Sequence, residues 1–437
     1  MPDWIEGKLG DSIARLDAGV SVNAEDRPHG AGEIGVLKTS AVSGGLFLPH
    51  QNKTVVEQER RLVAETVQGN SILVSRMNTP ALVGESCYVE EAQPSLFLPD
   101  RLWQLKPRDR AKTHMRWLSF VLQSAAYRRH VEVHATGTSG TMKNLPKSKL
   151  LTFPVRFPEP LEQQSIARVL DTLDVAIRET EAIVAKLKAV KQGLLHDLLT
   201  RGIDTNGELR PPQAQAPCLY KESPLGPVPN AWEIRPGADV CEEVVVGIVI
   251  RPTQYYKTAG IPVFRSANVR ENRLSMTDLV YMSERDHRLL GKSAVRPGDV
   301  LTVRTGYPGT SCVVDSSVRE ANCVDILISR PSRNLDPRFW ARWINSHRGK
   351  AQVLAAQGGL AQQHFNVADL QCLMVSMPAL DEQSEIATRL DAADDCLGAE
   401  SECLVGMTAL KSGLMDDLLT GRVRVTPPLQ PAATMPT

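Results

Sequence analysis

Apolar residues recur at alternating spacings of four and three along residues 162–200, at Ile166, Leu170, Leu173, Ile177, Val184, Leu187, Leu194 and Leu198. The same rhythm returns 220 positions later at Ile386, Leu390, Leu397, Leu404, Met407, Leu414 and Leu418. A narrow apolar stripe held over five heptads predicts a coiled-coil seam rather than the broad buried face of a globular helix. Pro160 and Pro378 stand just upstream, where proline is tolerated, and Gly202 and Gly421 follow the last apolar turn, where glycine ends helices. Each helix would be roughly 58 Å long at 1.5 Å per residue. Polar residues interrupt the stripe at matching places, Thr180/Glu400 and Lys191/Lys411. Such residues either fix register or snorkel to water; snorkelling is the expectation for the lysines.

The two stretches are copies. Fifteen of the 39 positions in 162–200 and 382–420 are identical, including Glu162/Glu382, Gln163/Gln383, Asp174/Asp394, Gly193/Gly413 and the closing Asp-Leu-Leu-Thr. An internal repeat decides architecture before any local reading does. The chain reads as one unit written twice, a variable globular stretch followed by a long helix. The simplest partner for each helix is the other; the alternative is that each lies on its own domain.

Weaker matches run through the globular stretches. Gly35-Val-Leu-Lys-Thr-Ser40 corresponds to Pro262-Val-Phe-Arg-Ser-Ala267, a short strand followed by a turn with a basic residue. Asn70-Ser-Ile-Leu-Val-Ser-Arg76 corresponds to Gly298-Asp-Val-Leu-Thr-Val-Arg304, a turn feeding a strand that delivers an arginine. Thr136-Gly-Thr-Ser-Gly140 with Lys143-Asn-Leu145 corresponds to Gln357-Gly-Gly359 with Phe365-Asn-Val367. Amphipathic helices are expected near 114–129 and 337–354. Each globular unit is therefore α+β, alike in skeleton and different in loop residues.

With 437 residues there is room for two to four domains. Fifty basic residues balance fifty acidic ones, but unevenly: residues 1–157 carry 20 Lys/Arg against 16 Asp/Glu, and residues 211–377 carry 19 against 15. Residues 158–210 carry 7 against 9 and residues 378–437 carry 4 against 10. The globular stretches are basic and the helical ones acidic, a modest bias that suits local phosphate neutralisation. Eight cysteines are scattered without a CxxC pair, which fits a reduced cytoplasmic setting. No apolar run of 18 residues suggests membrane insertion. Arg210-Pro-Pro-Gln-Ala-Gln-Ala-Pro217 reads as a linker and the Pro-rich end as a disordered tail.

Pro160-Leu-Glu-Gln-Gln-Ser-Ile-Ala167 and Pro378-Ala-Leu-Asp-Glu-Gln-Ser-Glu-Ile-Ala387 open long helices that both close on Lys-x-Gly-Leu-(Leu/Met)-x-Asp-Leu-Leu-Thr. With Ser223-Pro-Leu-Gly-Pro-Val-Pro-Asn-Ala-Trp232 and Arg296-Pro-Gly-Asp-Val300, this pattern resembles the DNA-specificity (S) subunit of type I restriction–modification systems, from Trp4 to about Arg424. The resemblance implies two pseudo-repeated α/β target-recognition domains joined by two long antiparallel coiled-coil helices. The segments would be recognition domain 1 at 1–157, helical spacer 1 at 158–203, the linker at 204–222, recognition domain 2 at 223–377, spacer 2 at 378–422 and the tail at 423–437. It further implies a non-catalytic chain that reads a bipartite, asymmetric site on double-stranded DNA. Two modification (methyltransferase) subunits would dock on its helices, and an added restriction/translocase subunit would allow cleavage. S-adenosylmethionine, ATP and Mg would be held by those partners and no cofactor by this chain. The alternative is a degenerate scaffold paralogue that binds modification subunits without selecting DNA.

Candidate DNA contacts follow from residue type and place. Arg76 and Arg304, at strand–loop junctions, can donate bidentately to guanine, take a phosphate, or hold an internal ion pair. Asn78, Thr79, Thr305 and Tyr307 lie beside them; Thr136, Thr138, Ser139 and Lys143 in the first unit and Gln362, Gln363 and His364 in the second occupy corresponding late loops. Lys38 with Thr39, and Arg265 with Ser266, suit phosphate. The cluster Arg101, Arg108, Arg110 and Lys112 reads as a solvated face.

No catalytic motif in the sequence is complete. There is no Asn/Asp-Pro-Pro-aromatic tetrapeptide and no GxxxxGK[ST] loop. Pro99-Asp100 with Gln104-Leu-Lys106 imitates a nuclease core but lacks a second acid. His130-Val-Glu-Val-His134 alternates like a strand and is not HExxH, so no metal site is expected there.

Overall fold

The computed structural model describes residues 4–137, 141–357 and 364–425. It divides into two compact units, Met1–Glu181 with Glu402–Thr437, and Ala182–Ser401. The division falls inside the two long helices, Pro160–Thr200 and Leu380–Thr420. Each unit thus holds one globular domain together with the first part of one long helix and the last part of the other.

In the first unit a four-stranded antiparallel sheet runs in the order Ser86–Val89, Ser71–Ser75, Leu102–Pro107, Ile13–Ala18. A second, five-stranded sheet contains one parallel pair, Gly35–Leu37 against Gln93–Phe97. The second unit repeats the plan. Its four-stranded antiparallel sheet orders Cys241–Val246, Ile326–Pro331, Val300–Val303 and Ser311–Val313. Its companion sheet likewise has one parallel pair, Ile261–Phe264 against Ala321–Cys323. Central strands such as Ser71–Ser75 and Val300–Val303 are buried at every position, as expected of strands covered on both faces.

The helical segments belong to these cores. Ile166, Ala167, Leu170 and Leu418 are buried with Trp4, Trp117 and Phe120 in the first unit, while Leu195, Leu198, Leu199, Ile386 and Leu390 are buried with Trp232, Phe339 and Trp343 in the second. Each fully buried Leu or Ile contributes about 1.5–3 kcal/mol. Every seam residue is buried or half-buried. Within each unit the two helical segments run antiparallel: Asp174 meets Lys411 and Glu162 meets Arg424 in the first, Lys191 meets Asp394 and Glu382 meets Ile203 in the second.

Several expectations are corrected. The seam lysines do not snorkel: Lys191 Nζ lies 2.5 Å from Asp394 on the facing helix, and Lys411 pairs with Asp174. A half-buried ammonium finds a carboxylate closer than bulk water, so these positions lock the pairing. The amphipathic stretches are each two helices, Met115–Val121 then Ala125–His134, and Pro337–Asn345 then His347–Ala356. Ser124 and Ser346 make the breaks, each hydroxyl accepting from an N–H three residues on, at 3.2 and 3.1 Å. His130 and His134 are helical rather than strand-like, because Tyr127 and Val131 bury one face of that helix. Their ring centroids lie 4.2 Å apart with the planes tilted by 31°, and each ring pairs with a backbone carbonyl.

The Pro-rich stretch is not a free tether. Arg210 grips Glu382, Tyr220 Oη donates to Pro211 O at 2.6 Å, and Asn230 Nδ2 donates to Cys218 O at 2.7 Å. The expected tail beyond residue 425 lies outside the described residues.

Candidate nucleic-acid interface

In each unit one central strand begins in a turn of positive φ, at Asn70 (49°) or Gly298 (86°), and ends by delivering an arginine. The carbonyl of that arginine accepts a bond from the late loop: Leu145 N to Arg76 O at 2.9 Å, and Phe365 N to Arg304 O at 3.1 Å. This one backbone bond joins strand end and loop at the same place in both units.

In the first unit it gathers Arg76, Asn78, Thr136 and Lys143. Met77–Asn78 pairs with Lys143–Asn144, and Thr136 exchanges backbone bonds with Asn144 at 2.8 and 2.7 Å. The Arg76 guanidinium donates to Asn144 Oδ1 at 3.3 Å and lies 5.7 Å from the Trp103 ring centroid. These contacts orient it. Asn78 Oδ1 accepts from Thr79 N at 2.9 Å, and Lys143 Nζ donates to Gly137 O at 3.1 Å with two further donors on the ammonium. Thr138 and Ser139 lie outside the described residues.

In the second unit the arginine is engaged by a carboxylate. Arg304 Nη1 lies 3.0 Å from Asp325, whose other oxygen accepts from Thr305 Oγ1 at 2.9 Å. Of the three readings open for Arg304, the structure has the internal ion pair. Asp325 adopts φ 52°, and Val324 N donates to Phe264 O, so the chain on either side of that bond carries Asp325 and Arg265. Gly306 and Gly309, at φ 86° and 81°, turn the next loop outward and leave Tyr307 84% exposed. His364 is exposed next to Phe365, while Gln362 and Gln363 lie outside the described residues.

Lys38 and Arg265 follow strands of the companion sheets. Lys38 pairs with Asp26 at 2.7 Å, and that contact holds the Asp26 carboxyl below its ordinary range. Arg265 Nη2 donates to Asp278 O at 2.5 Å. Thr39 and Ser266 open the 3-10 turns Thr39–Ala41 and Ser266–Asn268. Lys106 is half-buried between Asp17 (2.9 Å) and Glu65 (3.5 Å), whereas Asp100 is turned toward Arg76 through its carbonyl. Among the described residues no three His, Cys, Asp or Glu side chains are placed to hold a metal ion, and no helix is long and apolar enough to cross a membrane.

Sequence reasoning missed Asn144, Trp103 and Asp325, the side chains that hold the arginines. Asn144 had a signal, since the late loops share it with Asn366; Asp325 had none.

Residues 1–189 match the family model described as type I restriction modification DNA specificity domain. The chain is 22% identical over 366 residues to the putative type I restriction enzyme MjaX specificity subunit of Methanocaldococcus jannaschii, covering 81% of this chain and 78% of that one. It is 26% identical to the EcoEI specificity subunit of Escherichia coli over 45% of this chain and 33% of that protein. Its fold matches the S subunit from M. genitalium with a TM-score of 0.59 at 12% identity, over 95% of this chain and 96% of the other. It also matches a chain from a study of assembly and conformational transition of the type I R-M system, with a TM-score of 0.51 at 15% identity and 97% and 99% coverage. The duplicated domains, the antiparallel helical segments and these likenesses converge: the chain resembles the specificity (S) subunits of type I restriction–modification systems, and its residues 1–189 match the model of that DNA specificity domain.

Proposed function

We propose that this chain is the non-catalytic DNA-reading subunit of a type I complex, each globular domain reading one half of a split, asymmetric site on double-stranded DNA. The observation that carries this reading is the repeated junction of strand-end arginine and late loop. It has the same backbone bond in both units and different side chains around it, Asn144 and Lys143 in one, Asp325 and His364 in the other. One scaffold with two chemistries is what reading two unlike half-sites requires.

The long helices would set the distance between half-sites and dock two methyltransferase subunits, with S-adenosylmethionine, ATP and Mg on the partners. Apolar side chains left exposed along them, such as Ile183, Val190 and Val405, support a docking role. Expression with a cognate methyltransferase subunit, followed by mapping of modified adenines, tests the reading. Methylation at one split, non-palindromic motif is expected. Complex formation without any sequence preference, at every salt concentration, would instead establish the degenerate scaffold.

A further inference from the structure

Asp174 and Asp394, 220 residues apart in the two helix copies, occupy the same kind of junction. Each carboxylate is shared between a lysine of the facing long helix and an arginine of the globular domain. In the second unit the Asp394 carboxylate forms ion pairs with Lys191 at 2.5 Å and Arg342 Nη1 at 2.7 Å, while Arg342 Nη2 donates to Asp391 at 2.6 Å. In the first unit Asp174 receives Lys411 and, at 3.2 Å, Arg116, which also donates to Asp171 at 2.6 Å.

The arginines differ in origin. Arg116 lies two residues past the helix cap His114, where the second unit has Arg338 past Asp336, and Arg338 pairs with Asp391 at 3.0 Å. At the place of Arg342 the first unit has Phe120, and Arg116 and Lys411 lie over its ring at 4.4 and 5.8 Å. The domain side of the junction has been rebuilt while the aspartate and the lysine are the same in both copies.

A second attachment stands earlier on each helix. Gln163 Oε1 accepts from His114 N at 2.8 Å and Gln383 Oε1 accepts from Asp336 N at 2.9 Å. Eleven residues along a helix separate the two attachments, roughly 16 Å. With both in place the domain is held at two points on the helix; with the aspartate neutralised, the outer point is lost and the glutamine, the arginine bond to Asp171 or Asp391 three residues nearer it and the apolar contacts become the fulcrum. A tilt of roughly 10° moves a reading edge ~20 Å away by ~3.5 Å, about one base-pair step.

We propose that Asp174 and Asp394 are positioning residues that hold each domain at one angle on its helices and thereby restrict the complex to one spacing between half-sites. This rests on the DNA-reading function proposed above. The test uses the full chain in complex with its methyltransferase subunit, acting on plasmids whose half-sites are separated by the native spacing or by one or two base pairs more or less. Asp394→Asn and Asp174→Asn are expected to raise modification at spacings one base pair off by at least tenfold relative to the native spacing, with the half-site bases unchanged. Should either aspartate variant fail to assemble, Arg342→Gln or Arg116→Gln, which cuts the domain side of the junction and leaves the lysine–aspartate pair between the helical segments, is expected to raise the same ratio. Assembled variants that modify only the native spacing would overturn the inference while leaving the DNA reading in place. A native complex that modifies no split site would overturn both.

Discussion

Trp4 donates its indole N–H to Glu162 at 3.2 Å across 158 residues of chain, and the carboxylate also takes two bonds of 2.7 Å from Arg424. The second copy repeats the arrangement: Trp232 donates to Glu382 at 3.2 Å, Arg210 grips both oxygens at 2.5 and 3.0 Å, and Ile203 N adds a bond at 3.0 Å. One glutamate at the start of each long helix thus ties the domain's first tryptophan to the chain leaving the other long helix. Glu162→Gln keeps an acceptor for the indole but removes the carboxylate charge that the Arg424 guanidinium pairs with. A loss of about 3 kcal/mol is expected, the lower end for breaking a buried pair because Arg424 is partly exposed. Urea unfolding measures it, with exposed Glu159→Gln as the control that shifts by less than about 0.5 kcal/mol.

The same carboxylate gives a pH dependence. Burial raises the pKa of Glu162, but hydrogen bonds from Arg424 and Trp4 and the charge of Arg424 outweigh burial and hold it below its ordinary value. A carboxyl depressed in the folded state stabilises above its unfolded pKa, and that contribution is lost as pH falls through the folded value. Thermal midpoints should therefore fall on acidification below the ordinary carboxylate range. The Glu162→Gln protein should show a shallower fall over the same interval; equal slopes would contradict the assignment.

Two glycines of one helix should respond in opposite directions. Gly202 ends the first long helix at φ 63°, and a Cβ there would lie 2.2 Å from Glu382 and 2.4 Å from Trp232. Gly202→Ala is expected to cost about 1–3 kcal/mol through backbone strain and displacement of that pair. Gly193, inside the helix with nothing near its absent side chain, should gain about 0.5–1 kcal/mol on substitution by alanine. Thermal unfolding of the two variants side by side checks both signs.

Loss of a helix break should be modest. Ser346→Ala removes the hydroxyl that accepts from Gly349 N and donates to Trp343 O, with an expected cost of about 1 kcal/mol. A stabilised Ser346→Ala protein would mean that the preceding and following helices prefer to fuse.

Tyr307 offers a test on the DNA side that leaves the fold alone. Being 84% exposed, its replacement by alanine should leave unfolding unchanged within about 0.5 kcal/mol. Binding to the half-site read by the second domain should weaken by about 1–3 kcal/mol, the scale of one good base-edge contact. Competition binding with duplexes altered in one half-site at a time separates the two domains. Undiminished selectivity would remove Tyr307 from the interface.

The outcome of sequence reading differs between residues for identifiable reasons. The seam was legible because Ile166, Leu170 and their successors repeat at helical spacing. The lysines within it were misjudged because a stripe shows which face is buried but not what stands opposite, and opposite Lys191 stands Asp394. Arg76 and Arg304 were recognisable as a pair from the turn and strand that precede them. Whether each guanidinium was free could not be read there: Asn144 and Asp325 lie 68 and 21 residues further along the chain. The breaks at Ser124 and Ser346 were missed because an apolar pattern continues across them, while a single side-chain oxygen redirects the backbone.

The sequence by itself determined that the protein is a duplication, that each copy ends in a long helix with an apolar seam, and where glycine closes that helix. Periodicity, capping and self-similarity are properties of neighbouring residues and of the written chain, so they need no folding to be seen. Only the tertiary structure decided which charge answers which. Glu162 meets Arg424 across 262 residues and Glu382 meets Arg210 across 172. Ion pairs form where the backbone brings groups within a few ångströms and removes the water that would otherwise screen them, and distance along the chain records neither.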